Sequence, residues 1–150
     1  MFQGEPVEHT SELSRILALP RRQMPDGEAL AERLTRALKK EGGTMSLRPV
    51  QAIALYEAAR VGGLFAPIPV GGGKTLLSLL LPTVLEAKRP LLLLPAALCG
   101  KTHAERQKLS THWQIRDGVR IFSYERLSLM NSAKELHISR PDLKIGRAHV

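Results

Sequence analysis

Ile68-Pro69-Val70-Gly71-Gly72-Gly73-Lys74-Thr75 decides how this chain is read, because an apolar stretch precedes it and a leucine-rich stretch follows. Consecutive glycines let a backbone turn tightly and bring its amides against phosphate oxygens. The lysine adds a point charge, and the threonine hydroxyl can ligate magnesium. The pattern predicts a phosphate-binding loop between a strand and a helix, with ATP as its ligand and Mg2+ as the metal. Val70, Gly71, Gly72, Gly73, Lys74 and Thr75 are the expected nucleotide-binding residues. Lys74 and Thr75 are the expected catalytic pair, and Thr75 is the expected Mg2+ ligand.

Upstream of the loop, Gly63 to Ile68 is short and apolar, which predicts a buried strand. Before it, Pro49 suits a first helical turn. Val50, Ile53, Ala54 and Ala58 fall on one face, and Gly62-Gly63 provides a stop, so a helix is expected from Pro49 through Arg60. An earlier helix is expected from an Asp26 N-cap to about Lys40, with Leu30, Leu34, Ala37 and Leu38 as its stripe. Residues 1–25 carry Gly4, Pro6, Pro20 and Pro25, and read as an arm with one short amphipathic piece.

Downstream, a helix should open at Thr75, kink at Pro82 and resume to Ala87. Pro90 and Pro95 bracket Leu91 to Leu94, a stretch too short for a helix and suited to a central parallel strand. A helix over Thr102 to Leu109, a strand over Val119 to Phe122 and a helix over Tyr124 to Leu136 complete the expectation. Such alternation implies parallel strands with right-handed crossovers, the α/β class in which ligands sit beyond the carboxyl ends of strands.

The 150 residues fit one ordinary domain, and 43% hydrophobic content can fill a core. A net charge of +8 suits a polyanionic partner or a solvated basic surface, and charge alone does not choose between them. Cys99 is the only cysteine, so no intrachain disulfide can form and a reducing compartment is the natural setting. Glu5 and Glu8 precede any apolar run, which is unlike a secretory signal. Pro82, Glu86, Lys88 and Arg89 interrupt the greasiest stretch, so it falls short of the roughly 20 apolar residues that a bilayer helix needs. An intracellular protein without a membrane span is expected, cytoplasmic or, for a viral gene, in the host cytoplasm.

Several segments in order resemble the superfamily 2 helicases and, within them, the Snf2-like DNA translocases. IPVGGGKT is similar to helicase motif I through Pro69, Gly71, Gly73, Lys74 and Thr75. Leu47 to Gln51, LRPVQ, resembles the segment opening the motor domain, and the resemblance implies that Gln51 recognises adenine. LLLLPAALCGKTHAER resembles motif Ia, and IFSYERLS a later segment built around Ser-Tyr-Glu. Ile68 stands where the full Walker pattern has glycine, a departure that favours the helicase branch over nucleotide kinases.

The resemblance implies a P-loop NTPase of RecA-like fold, truncated, with a helical N-terminal extension. Residues 1–45 would be the arm and first helix, and residues 46–144 part of the ATP-binding domain. Residues 145–150, IGRAHV, can be encoded by a common sequencing-adapter sequence and are expected to be a remnant of it. The implied activity of the parent is ATP hydrolysis driving helicase or translocase action on nucleic acid, DNA before RNA. The fragment itself is expected to be inactive, because the acidic Walker B residues are missing from it. Lys101, Thr102 and Arg106, with Lys108 beside them, are the expected contacts to the nucleic-acid backbone. Two alternatives remain open at this point: a P-loop ATPase that does not act on nucleic acid, and a basic nucleic-acid-binding module without activity.

Overall fold

Pro90–Leu94 forms the central strand, β1, of a parallel sheet in a computed structural model that describes residues 10–20, 23–127, 129, 134, 137 and 140–147. β2, Arg120–Ser123, lies on one side and β3, Leu143–Gly146, on the other. Leu92 is level with Ile121 in β2 and with Ile145 in β3. A strand flanked on both edges and covered by helices reads as a continuous apolar run, which is why four leucines in a row serve here.

Six helices accompany the sheet among the described residues: α1 Ser11–Leu17, α2 Gly27–Leu38, α3 Pro49–Val61, α4 Lys74–Val84, α5 Ala96–Leu109 and α6 Tyr124–Leu127. Asp26 caps α2 by accepting the Glu28 amide at 3.0 Å. α2 packs on α3 through Leu30, Ala31 and Ala52, and its end joins the main core through Leu38. Thr35 tethers the connection between them, its hydroxyl accepting the Leu47 amide at 2.9 Å in a buried setting. Gly62 ends α3 with φ of +70°, a left-handed cap that glycine takes at little cost.

α4 continues through Pro82 to Val84 and buries Leu76, Leu77, Leu79 and Leu80 against the leucines of β1. Trp113 is completely buried in the same core, and its backbone pairs with Lys39 at the end of α2. α1 buries nothing and is capped by Thr10. No described helix is long and apolar enough to cross a membrane.

Three elements differ from the sequence expectation. Gly63 to Ile68 forms no strand and leaves Phe65 93% exposed. Pro67 within it and Pro69 just after it lack amide donors, so a regular ladder is interrupted here. α5 begins at Ala96 rather than Thr102, because the Glu125 carboxylate accepts the Ala96 amide at 3.1 Å and satisfies the new helix start. β3 was not anticipated, and it includes Ile145 and Gly146 from the segment expected to be foreign. The expected helix over Tyr124 to Leu136 is described only as α6, and most of its remainder lies outside the described residues.

Asp142 joins the start of β3 to the start of β1. Its two carboxylate oxygens accept the amides of Lys88 at 2.8 Å and Arg89 at 2.9 Å. Desolvation opposes its ionisation, but the hydrogen bonds from Arg89 and Lys88 outweigh that and hold the carboxyl below its ordinary value of 3.8. A carboxylate with a depressed folded pKa stabilises the fold above its unfolded pKa, and that contribution disappears as pH falls through the folded value. Asp142→Asn is therefore expected to be less stable than the parent chain at pH 7, with the gap closing on acidification below the ordinary carboxylate value. Urea denaturation followed by Trp113 fluorescence measures it, and a gap that stays constant with pH would contradict the assignment.

Candidate functional site

Parallel pairing sends the carboxyl ends of β1 and β3 to the same edge of the sheet, and the glycine loop meets them there. A cavity of about 730 Å3 opens at this edge, lined among others by Gln51, Gly71, Gly73, Lys74, Thr75 and Arg147. Gly71 and Gly73 adopt φ of +80° and +83°, the left-handed region where a side chain is strained. Gly72 donates its amide to the Pro69 carbonyl at 3.1 Å, closing the turn. A Cβ on Gly72 would run into Ile68, and one on Gly73 into the Gln51 amide. Glycine is thus required at Gly72 and Gly73 by close approach, whereas the space around Gly71 is open.

Gly73 is the N-cap of the 11-residue α4, with no side chain capping the helix. The first amides of a helix have no intrahelical acceptor, and the aligned peptide dipoles make that end positive. Such a helix end, here at the mouth of the cavity, is suited by its geometry to an anion. Lys74 is half-buried, and its ammonium donates to the Ile68 carbonyl at 3.0 Å, folding back over the loop. Thr75 is buried, and its hydroxyl accepts from Arg147 Nη1 at 2.5 Å. Arg147 is held there by its own backbone, whose amide donates to the Leu93 carbonyl at 3.0 Å. Val70 is 85% exposed at the outer tip of the loop.

Gln51 is buried and both ends of its amide are engaged within the protein. Its Oε1 accepts the Arg48 amide at 2.9 Å, and its Nε2 donates to the Gly72 carbonyl at 3.1 Å. Arg48 adds a second tether, donating from Nη1 to the Gly71 carbonyl at 3.1 Å. In this arrangement Gln51 anchors the loop to the N-terminus of α3, using one donor and one acceptor of its amide.

The residues expected to meet nucleic acid separate into three environments. Thr102 is buried, with 2% exposure, so it has no surface to offer. Arg106 turns inward, and its guanidinium donates to the carbonyls of Arg116, Asp117 and Val119, which fixes the turn before β2. Lys101 is exposed and, with Lys108, lines the same cavity as Lys74. Two partners stand outside the sequence expectation: Arg147 at the Thr75 hydroxyl and Glu125 at the start of α5. Nothing local marks Arg147, because its role arises from sheet register. Glu125 sits in the quoted Ser-Tyr-Glu segment, and hydrogen bonds from its own amide and that of Ala96 hold its carboxyl below the ordinary range.

Mg2+ at a nucleotide takes most of its oxygens from water and phosphate, and the one protein oxygen expected here, the Thr75 hydroxyl, accepts a hydrogen bond from the Arg147 guanidinium. Among the described residues lining the cavity, Glu105 brings the only carboxylate. No group of three or more His, Cys, Asp or Glu among the described residues could hold a metal ion. Comparison with protein-family models, curated proteins and solved structures finds no match to this chain.

Two alanine substitutions separate backbone strain from crowding in the loop. Gly71→Ala is expected to cost about 1 kcal/mol from the left-handed backbone alone. Gly73→Ala adds a collision with Gln51 worth about 1–3 kcal/mol more. Urea denaturation monitored at Trp113 compares them, and equal losses would show that Gln51 does not pack on Gly73.

Proposed function

We propose that this chain binds ATP through its triphosphate tail at the glycine loop, as part of a RecA-like P-loop ATPase. The observation that carries this reading is the juxtaposition of a left-handed glycine turn, the uncapped start of α4 and Lys74 at the carboxyl edge of a parallel sheet. Amides at the start of α4 and the positive helix end would hold phosphate oxygens. Lys74 would exchange the Ile68 carbonyl for a phosphate oxygen, adding an anionic acceptor to the ammonium donor.

For a complete parent protein we propose ATP hydrolysis coupled to movement on nucleic acid, with DNA as the track. Its support is the order of the segments LRPVQ, IPVGGGKT, LLLLPAALCGKTHAER and IFSYERLS, together with an α/β fold that has parallel strands flanked by helices. In such chemistry the protein acts by positioning and by stabilising the charge that develops on the transferred phosphoryl group. Here the residues available for that task are Lys74 and the loop amides.

Isothermal titration of the chain with ATP tests the binding claim directly. Lys74→Ala is expected to weaken ATP about 10–100-fold, the equivalent of losing one charge-assisted hydrogen bond, while the Trp113 unfolding transition stays in place. Equal affinity in the variant and the parent chain would refute the assignment of Lys74. A basic nucleic-acid-binding module would instead hold duplex DNA with steep salt dependence and ignore ATP.

A further inference from the structure

We infer that the cavity seats a ribonucleoside triphosphate lengthwise along α5, with the Glu105 carboxylate receiving the ribose hydroxyls and His112 donating to the base. The inference rests on the ATP-binding reading and adds to it the residues that distinguish a nucleotide from a bare polyphosphate.

One face of α5 walls the cavity over most of the helix. Leu98, Lys101, Glu105, Lys108 and Leu109 line it, and His112 continues the wall just past the helix end. Spacings of three and four set these residues on one stripe. From Leu98 to Leu109 the stripe rises about 16 Å. α5 starts directly after β1, at the sheet edge where the glycine loop lies, so the stripe runs from the phosphate end of the cavity toward the connection between α2 and α3. It meets that connection at His112, whose carbonyl accepts the Lys40 amide at 2.9 Å.

Chemistry changes along the stripe in the order of the parts of a nucleotide. Lys101 comes first, an exposed cation suited to phosphates held at the glycine loop. Glu105 lies one turn further on. A carboxylate repels phosphate but accepts two hydrogen bonds well, and a ribose offers two neighbouring hydroxyls. Among the described residues Glu105 has no ion-pair partner, so its oxygens are available. Lys108 is exposed, and its flexible stem lets the ammonium turn to water.

The far end combines apolar surface with one fixed donor. Leu109 is half-buried against the core, and Met45 lines the cavity from the connection before α3. The His112 amide donates to the Leu109 carbonyl at 3.0 Å, and its Nδ1 accepts the Thr44 amide at 3.2 Å. A ring that accepts at Nδ1 is neutral and carries its proton on Nε2, so His112 has a donor left to give. Base edges present acceptor nitrogens and oxygens to such a group. Gln51 sits at the opposite end, packed against Gly73 and bonded to the Gly72 carbonyl.

The test is isothermal titration of the full chain with ATP, 2′-deoxy-ATP and inorganic tripolyphosphate in one buffer. ATP is expected to bind about tenfold tighter than tripolyphosphate and about threefold or more tighter than 2′-deoxy-ATP. Glu105→Gln should weaken ATP about fivefold and shrink the preference for the ribose form to less than about twofold. Its affinity for tripolyphosphate should stay level or rise, because a repelling charge is gone. His112→Ala and Met45→Ala should each weaken ATP about threefold to tenfold without weakening tripolyphosphate. Lys101→Ala should weaken all three ligands alike, which separates charge from recognition, and Trp113 fluorescence checks that each variant remains folded. Nucleotides that bind no tighter than tripolyphosphate, or Glu105 and His112 variants that lose all three ligands in parallel, would overturn the α5 subsite while leaving the phosphate loop intact. Unchanged ATP affinity in folded Glu105→Gln and His112→Ala would overturn it too. If none of the three ligands binds, the ATP reading falls as well.

Discussion

Parallel pairing on both edges of β1 is the constraint from which the site follows. A parallel neighbour cannot be reached by a tight hairpin, so each strand must be followed by a crossover on the way to the next. The chain then leaves every strand at one edge of the sheet, and there Pro95, Tyr124 and Arg147 each follow a strand end. Glu125 uses this convergence to cap α5, and Arg147 uses it to reach Thr75. Neither contact connects residues near each other in sequence. Both depend on the register that aligns Leu92 with Ile121 and Ile145.

The glycine loop is held from two sides by polar contacts that a phosphate group could replace or leave alone. Gln51 and Arg48 bond the carbonyls of Gly72 and Gly71, which point away from the amides that would meet an anion, so these tethers and a ligand can coexist. Lys74 behaves differently, because its bond to the Ile68 carbonyl uses the ammonium itself. Ligand binding at this loop therefore requires one lysine to move while the backbone scaffold around Gln51 persists. Preorganisation of that kind limits the ordering cost of binding, since the left-handed glycine turns are already formed.

Much of the helical layout was legible because its signals are local. Asp26 caps α2, Pro49 opens α3, Gly62 closes it, and the prolines at 90 and 95 delimit β1. The failures are non-local. Ala96 to Gly100 looks like a loop until Glu125, far along the chain, satisfies its first amide. Gly63 to Ile68 has the apolar content of a strand, but Pro67 within it and Pro69 just after it have no amide hydrogen to donate. In the site, the glycines of the turn and Lys74 were legible as a spacing. The inward commitment of Gln51 was not, because it depends on how closely α3 approaches Gly73.

The positions of Thr102 and Arg106 also change how the positive charge of this face should be understood. With one side chain buried and the other closing a turn, the cations left on the outer side of α5 include Lys101 and Lys108, and these line the cavity of the glycine loop. A nucleic-acid backbone drawn to them would approach the same charges that face a triphosphate tail. Two polyanions sharing cations repel each other, so occupancy by either would weaken the other by an equal free energy. A separate track for nucleic acid would need a different basic surface from the one α5 presents. The charge surplus of +8 therefore does not by itself provide two independent polyanion sites.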